Sequence, residues 1–127
     1  MPGDNRPARV GAQVRQELAR LVARDLADPR LADLVVTNVV MSGDLRLAKI
    51  YWRLATVMSG AVHDAMREDA AKALERSSGR LKRAVTARVG LRYAPELRFV
   101  YDAGQDARDR IEQLLHEVAQ DDKKRGS

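Results

Sequence analysis

The segment from Leu34 to Ala55 restricts the fold more than any other part of the chain. Residues 34–42 (LVVTNVVMS) are a short β-branched run, which reads as a strand. Ser42-Gly43-Asp44 then reads as a hairpin turn, and Leu45 to Ala55 as a second strand. In that second strand Ala48, Ile50, Trp52 and Leu54 share one face, and Lys49, Tyr51 and Arg53 share the other. The first set is expected to be buried and the second exposed. The first strand is apolar on both faces, with Val35, Val39 and Met41 on one and Leu34, Val36 and Val40 on the other. That pattern predicts a central strand, covered on both sides or on one side and part of the other.

The cover for this hairpin has to come from helices. Val10, Val14, Leu18, Leu21 and Val22 recur at helical spacing, so residues 8–26 read as an amphipathic helix with Arg9, Gln13, Gln16, Arg20 and Arg24 opposite. Asp28-Pro29 ends it, because the residue before proline disfavours the helical region. Residues 61–89 are again helical by composition, but Ser77-Ser78-Gly79 is expected to break the run and reset its axis. Pro95 opens a third strand, Glu96 to Tyr101, in which Leu97, Phe99 and Tyr101 alternate. Asp106 caps a last helix with Ile111, Leu114, Leu115 and Val118 as its stripe. The order is α-β-β-α-kink-α-β and then α. One three-stranded α+β sheet with helices on one face is the economical arrangement. The expected organisation is a main domain over 8–102, a C-terminal helix over 103–119, and flexible termini at 1–7 and 120–127.

Composition removes several classes of function. A chain of 127 residues fits one domain with a real core. It has no cysteine, which excludes disulfides and thiolate metal sites. No apolar run approaches the roughly 18 residues of a membrane span, and no signal-peptide core is apparent. The arginine-bearing N-terminal stretch reads as a folded helix and not a transit peptide, since Asp4 and Glu17 intervene. His63 and His116 are far apart, expected on exposed helical positions, and lack a ligand partner at i+3 or i+4. No phosphate-loop, nucleophile-elbow or zinc-helix motif occurs. The reading is a binding protein with no catalytic residues, no cofactor and no metal.

Charge says what is bound. The chain carries 23 basic and 18 acidic residues, net +5. Residues 76–95 (RSSGRLKRAVTARVGLRYAP) hold six of the basic residues and no acid, so the remainder is close to neutral at 17 against 18. A positive surplus this local is the electrostatic footprint of a polyanion partner, nucleic acid first. A kink at Ser77-Ser78-Gly79 would expose backbone N–H groups and start a new helix N-terminus, a cradle for phosphate. The competing reading is a small-residue spot where the helix crosses a strand.

Four segments in this order resemble the ribosome-binding factor A family of bacteria: RV…ELARLVARDLADPRL at 9–31, VVTNVVMSGDLRLAKIYW at 35–52, ALERSSGRLKRAV at 73–85 and LRYAPELRFVYD at 91–102. The resemblance runs from about residue 8 to 115. It implies a type II KH-like fold in which an interhelical Ala-x-Gly kink replaces the usual Gly-x-x-Gly loop; Ser77, Ser78 and Gly79 stand at those positions, with serine in place of alanine. It also implies binding to ribosomal RNA of the immature small subunit in the cytoplasm, near the decoding region. The implied role is late maturation and rRNA processing, without catalysis.

The RNA-contacting set expected from both lines is Arg76, Ser77, Ser78, Gly79, Arg80, Lys82, Arg83, Arg88 and Arg92, with Lys49 and Arg53 on the strand face. Arg76, Arg80 and Arg83 would neutralise phosphates and the others widen the patch. Tyr51, between two cations, either stacks a base or belongs to an ordinary half-exposed strand. Two other functions stay open at this point: a generic single-stranded-RNA module acting off the ribosome, and an adaptor docking on ribosomal proteins. No unpaired apolar stripe demands a second copy, so a monomer is expected, with no membrane partner.

Overall fold

A computed structural model of the chain describes residues 5–25, 28–56, 60–104 and 115. All of the expected C-terminal helix but Ala103, Gly104 and Leu115, and most of both termini, lie outside the described residues. Helix α1 spans Arg6–Arg20 and starts earlier than its apolar stripe suggests. Pro7 sits in its first turn, where a missing N–H breaks no helical hydrogen bond. Val10, Val14 and Leu18 face inward, and a wider π-helical turn over Leu21–Asp25 keeps Leu21 and Val22 buried too. Asp28 is extended, as a residue before proline should be, and its carboxylate accepts the N–H of Arg30 at 3.0 Å to cap a 3-10 turn over Pro29–Leu31. Leu31 is thereby driven into the core.

Strands β1 (Leu34–Met41) and β2 (Leu47–Leu54) form the expected antiparallel hairpin, and β3 (Glu96–Tyr101) lies parallel to β2. The order is β1-β2-β3, so β2 is the central strand and β1 is an edge, which corrects the expectation for β1. Which of its residues face the core is set by a bulge. Val36 pairs with Trp52 and Asn38 with Tyr51, leaving Thr37 as an extra residue. The extra residue puts Val36, Val39 and Met41 on the same inward face, whereas strict alternation separates Val36 from the other two. Val40 then points outward and is 48% exposed. The β2 alternation holds as written: Ala48, Ile50, Trp52 and Leu54 are buried, while Lys49 is exposed and Tyr51 and Arg53 are half-buried.

Helix α2 spans Ala61–Val89 without interruption. The expected break at Ser77-Ser78-Gly79 does not divide it, and no second helix N-terminus arises there. Energetics account for this. Glycine costs about 1 kcal/mol in a helix interior. Leu74 before the small residues and Leu81 and Val85 after them are all buried, each stabilising by roughly 1.5–3 kcal/mol. Keeping the helical phase across Gly79 is what lets both halves reach the core. The helix stops at Gly90, whose φ of 78° is left-handed and lets its N–H bond the Thr86 carbonyl at 3.1 Å.

Both helices share one core with the inward face of the sheet. α1 crosses β1 so closely that a Cβ on Gly11 would lie 2.9 Å from the Val39 carbonyl oxygen. His63 is not exposed as the sequence suggests. It is 5% exposed, and its Nε2 lies 3.2 Å from the Tyr101 hydroxyl, because β3 ends against the first turn of α2. Trp52 packs edge-on against the Tyr101 ring at 5.0 Å. Among the described residues no helix is long and apolar enough to cross a membrane.

Candidate nucleic-acid interface

An unbroken α2 keeps its helical phase, and that phase decides which cations assemble. At 100° per residue Arg76, Arg80 and Arg83 fall at i, i+4 and i+7 on one narrow face, opposite buried Leu81 and Val85. All three are exposed. Among the described residues none has an acidic partner within ion-pair distance. Asp28, whose carboxyl is held below its usual range first by hydrogen bonds from Arg30, also feels a weaker pull from Arg76. Three guanidiniums on successive turns present a row of charge to a polyanion.

The rest of the expected set is dispersed. Ser77 and Ser78 are half-buried inside the helix and Gly79 is exposed, so these three supply flat helix surface and no freed backbone N–H. Lys82 lies about 100° round the helix from Arg83 and is half-buried. Arg88 turns toward α1, its Nη1 3.8 Å from the Glu17 carboxylate, which Arg20 also approaches at 3.6 Å. It joins the two helices and is not in the row. Lys49 and Arg53 project from the sheet face opposite the core. Arg53 donates to the Leu54 carbonyl at 3.2 Å, which holds it along the strand. Lys49 is exposed and pairs in register with exposed Arg98 of β3 and with Val40 of β1.

Arg92 belongs to a third place, one that sequence reasoning missed. The loop after α2 meets the β1–β2 hairpin loop where the Glu96 N–H donates to the Arg46 carbonyl at 2.8 Å. There the Arg46 and Arg92 guanidinium carbons lie 5.1 Å and 5.4 Å from the ring centroid of Tyr93. Arg46 is visible in the acid-free run from Leu45 to His63, but nothing local connects it to Tyr93, 47 residues further on. The hairpin loop itself is tightly held. Asp44 accepts from the Ser42 hydroxyl at 2.7 Å and from the Arg46 N–H at 3.1 Å, and these bonds keep its carboxyl below the usual range.

Comparison with known proteins agrees with this architecture. A family model described as Ribosome-binding factor A matches residues 6–115. The chain is 45% identical to the ribosome-binding factor A of Sorangium cellulosum, over 89% of this chain and 88% of that protein. It is 36% identical to that of Desulforamulus reducens, over 90% of each. Among solved structures, the crystal structure of ribosome-binding factor A from Thermus thermophilus is similar with a TM-score of 0.62 and 32% identity, covering 75% of this chain and 94% of that one. The Thermus thermophilus factor as fitted into the cryo-EM map of its 30S complex gives a TM-score of 0.55 at 32% identity, covering 71% of this chain and 88% of that one.

Proposed function

The chain belongs to the ribosome-binding factor A family, and from that premise we propose that it binds the small ribosomal subunit, through ribosomal RNA, while that subunit is still maturing. The observation that supports an RNA-led contact is the exposed row Arg76, Arg80 and Arg83 on one face of α2. The Thermus relative is placed on a 30S particle, and we carry the same docking over to this chain, which matches it over 71% of its own length and 88% of that chain.

The mechanism is electrostatic docking without chemistry. The row neutralises successive phosphates and releases their counterions, so affinity falls steeply as salt rises. Phosphate contacts position the protein but read no sequence. Selectivity for an immature particle then comes from the shape of RNA that is not yet packed. We read the protein as a non-catalytic, cytoplasmic assembly factor acting at the end of subunit maturation and rRNA processing.

Sedimentation with purified mature and immature small subunits across a salt series tests this. Preferential co-sedimentation with the immature particle, lost as salt rises, is expected. Tight binding to free single-stranded RNA with none to either particle would replace this reading with a general RNA-binding module. Binding with a shallow salt slope would replace it with an adaptor docking on ribosomal proteins.

A further inference from the structure

Tyr93 is 54% exposed, although a large aromatic side chain in a chain of this size normally contributes to the core. Its backbone is not loose. Leu91 is packed against the core two residues before it, Pro95 is fully buried two residues after it, and the Glu96 N–H is bonded to the hairpin. The ring is therefore held out into solvent by an anchored loop. Two guanidiniums, from Arg46 and Arg92, lie over it.

The Arg46 side of this arrangement is built at a cost. Leu45 has φ of 61°, the left-handed region that a branched side chain rarely adopts. Strain of this kind concentrates at sites of function. Here the bonds of Ser42 and Asp44 hold the strained turn, and the turn delivers Arg46 to Tyr93. Lys49 and Arg98 are register partners on the parallel strands β2 and β3, where Arg98 is also paired with Glu96 at 3.6 Å.

We infer that Tyr93, with Arg46 and Arg92, forms a stacking platform for one unpaired base of RNA. This deepens the RNA reading of the chain and rests on it. An exposed aromatic with guanidinium planes lying over it offers a base a layered planar surface, ring and guanidinium together, and offers positive charge to the phosphates on either side of that base. The platform sits beyond the C-terminal end of α2, apart from the Arg76–Arg80–Arg83 row, so the protein would grip RNA at two places: a duplex-tolerant charged row and a single-strand clamp. A double-stranded segment, its bases already stacked, would satisfy the row and not the platform.

The test is binding of Tyr93→Ala, Tyr93→Phe and the double variant Arg80→Glu/Arg83→Glu to purified immature small subunits over a salt series. Tyr93→Ala is expected to weaken binding about tenfold, the range for losing one stacked base. Its salt slope should stay that of the parent, because no charge is removed, and its melting temperature should fall only slightly, since it loses two exposed cation–π contacts and no core contact. Tyr93→Phe should restore binding, since the ring and not the hydroxyl stacks. Unchanged affinity of Tyr93→Ala, beside loss of binding by the arginine double variant, would overturn the platform and leave the RNA reading standing. Absence of binding by the unmodified protein would overturn both. A weakened Tyr93→Ala with a strongly lowered melting temperature and no recovery in Tyr93→Phe would assign Tyr93 a structural role and overturn the platform.

Discussion

The Nη1 of Arg83 lies 3.5 Å from the point where a Cβ on Gly79 would sit, so the guanidinium folds back along α2 over the glycine one turn earlier. This places a flexible side chain end, and no backbone, over the only glycine inside α2. An added methyl group there meets ordinary van der Waals contact.

Gly79→Ala should therefore stabilise the protein by about 1 kcal/mol, the difference in helix propensity between the two residues. Denaturant unfolding measures it. Binding to small subunits should be unchanged, because the row needs a continuous helix. Should stability rise while binding collapses, the glycine is needed as a hinge in the bound state.

Charge reversal separates the cations by role. Arg80→Glu with Arg83→Glu should abolish co-sedimentation with immature subunits while the melting curve stays in place. Arg88→Ala should do the reverse. It loosens the contact with Glu17 at 3.8 Å, costing about 1 kcal/mol or less for so exposed an arginine, and changes binding little. Equal binding losses in both variants would refute the division of the patch.

Gly11→Ala addresses the packing of α1 on β1. The Cβ would meet the Val39 carbonyl oxygen at 2.9 Å, a backbone atom that cannot swing aside. Helix propensity favours alanine by about 1 kcal/mol, and a forced shift of the helix costs typically about 1–3 kcal/mol. Net destabilisation is expected, read as a lowered unfolding midpoint. A stabilised Gly11→Ala would show that α1 rides further from the sheet.

Acid titration tests the hairpin loop. The Ser42 hydroxyl, then the Arg46 N–H, hold the Asp44 carboxyl below its ordinary value of 3.8. A depressed folded-state value means that the bonds stabilise the loop above the ordinary carboxylate range and are lost as pH falls through the depressed value. Carboxyl chemical shifts should show Asp44 titrating low, and Ser42→Ala should move it upward. An Asp44 that titrates at its ordinary value in the parent would contradict the geometry.

How much of this was written in the chain depends on the range of the interaction concerned. The β2 alternation and the extended backbone of Asp28 before Pro29 were legible, because period-two burial and the steric demand of proline act over neighbouring residues. The bulge at Thr37 was not. An apolar run such as LVVTNVVM satisfies either face, and only pairing with β2 reveals the extra residue. His63 read as an isolated surface histidine because its partner, Tyr101, is brought to it by β3.

The sequence by itself determined the order of the three strands and of the helices before and between them, the inward face of β2 and the concentration of positive charge in residues 76–95, since composition and periodicity are local. Only the tertiary structure decided that Ser77-Ser78-Gly79 stays helical, that Arg76, Arg80 and Arg83 consequently align, and that Arg88 turns away to Glu17. It alone brought Arg46 to Tyr93. The physical reason is that a local preference of about 1 kcal/mol against the helix is outweighed by buried side chains on both sides of it. Contacts between distant loops have no local signature at all.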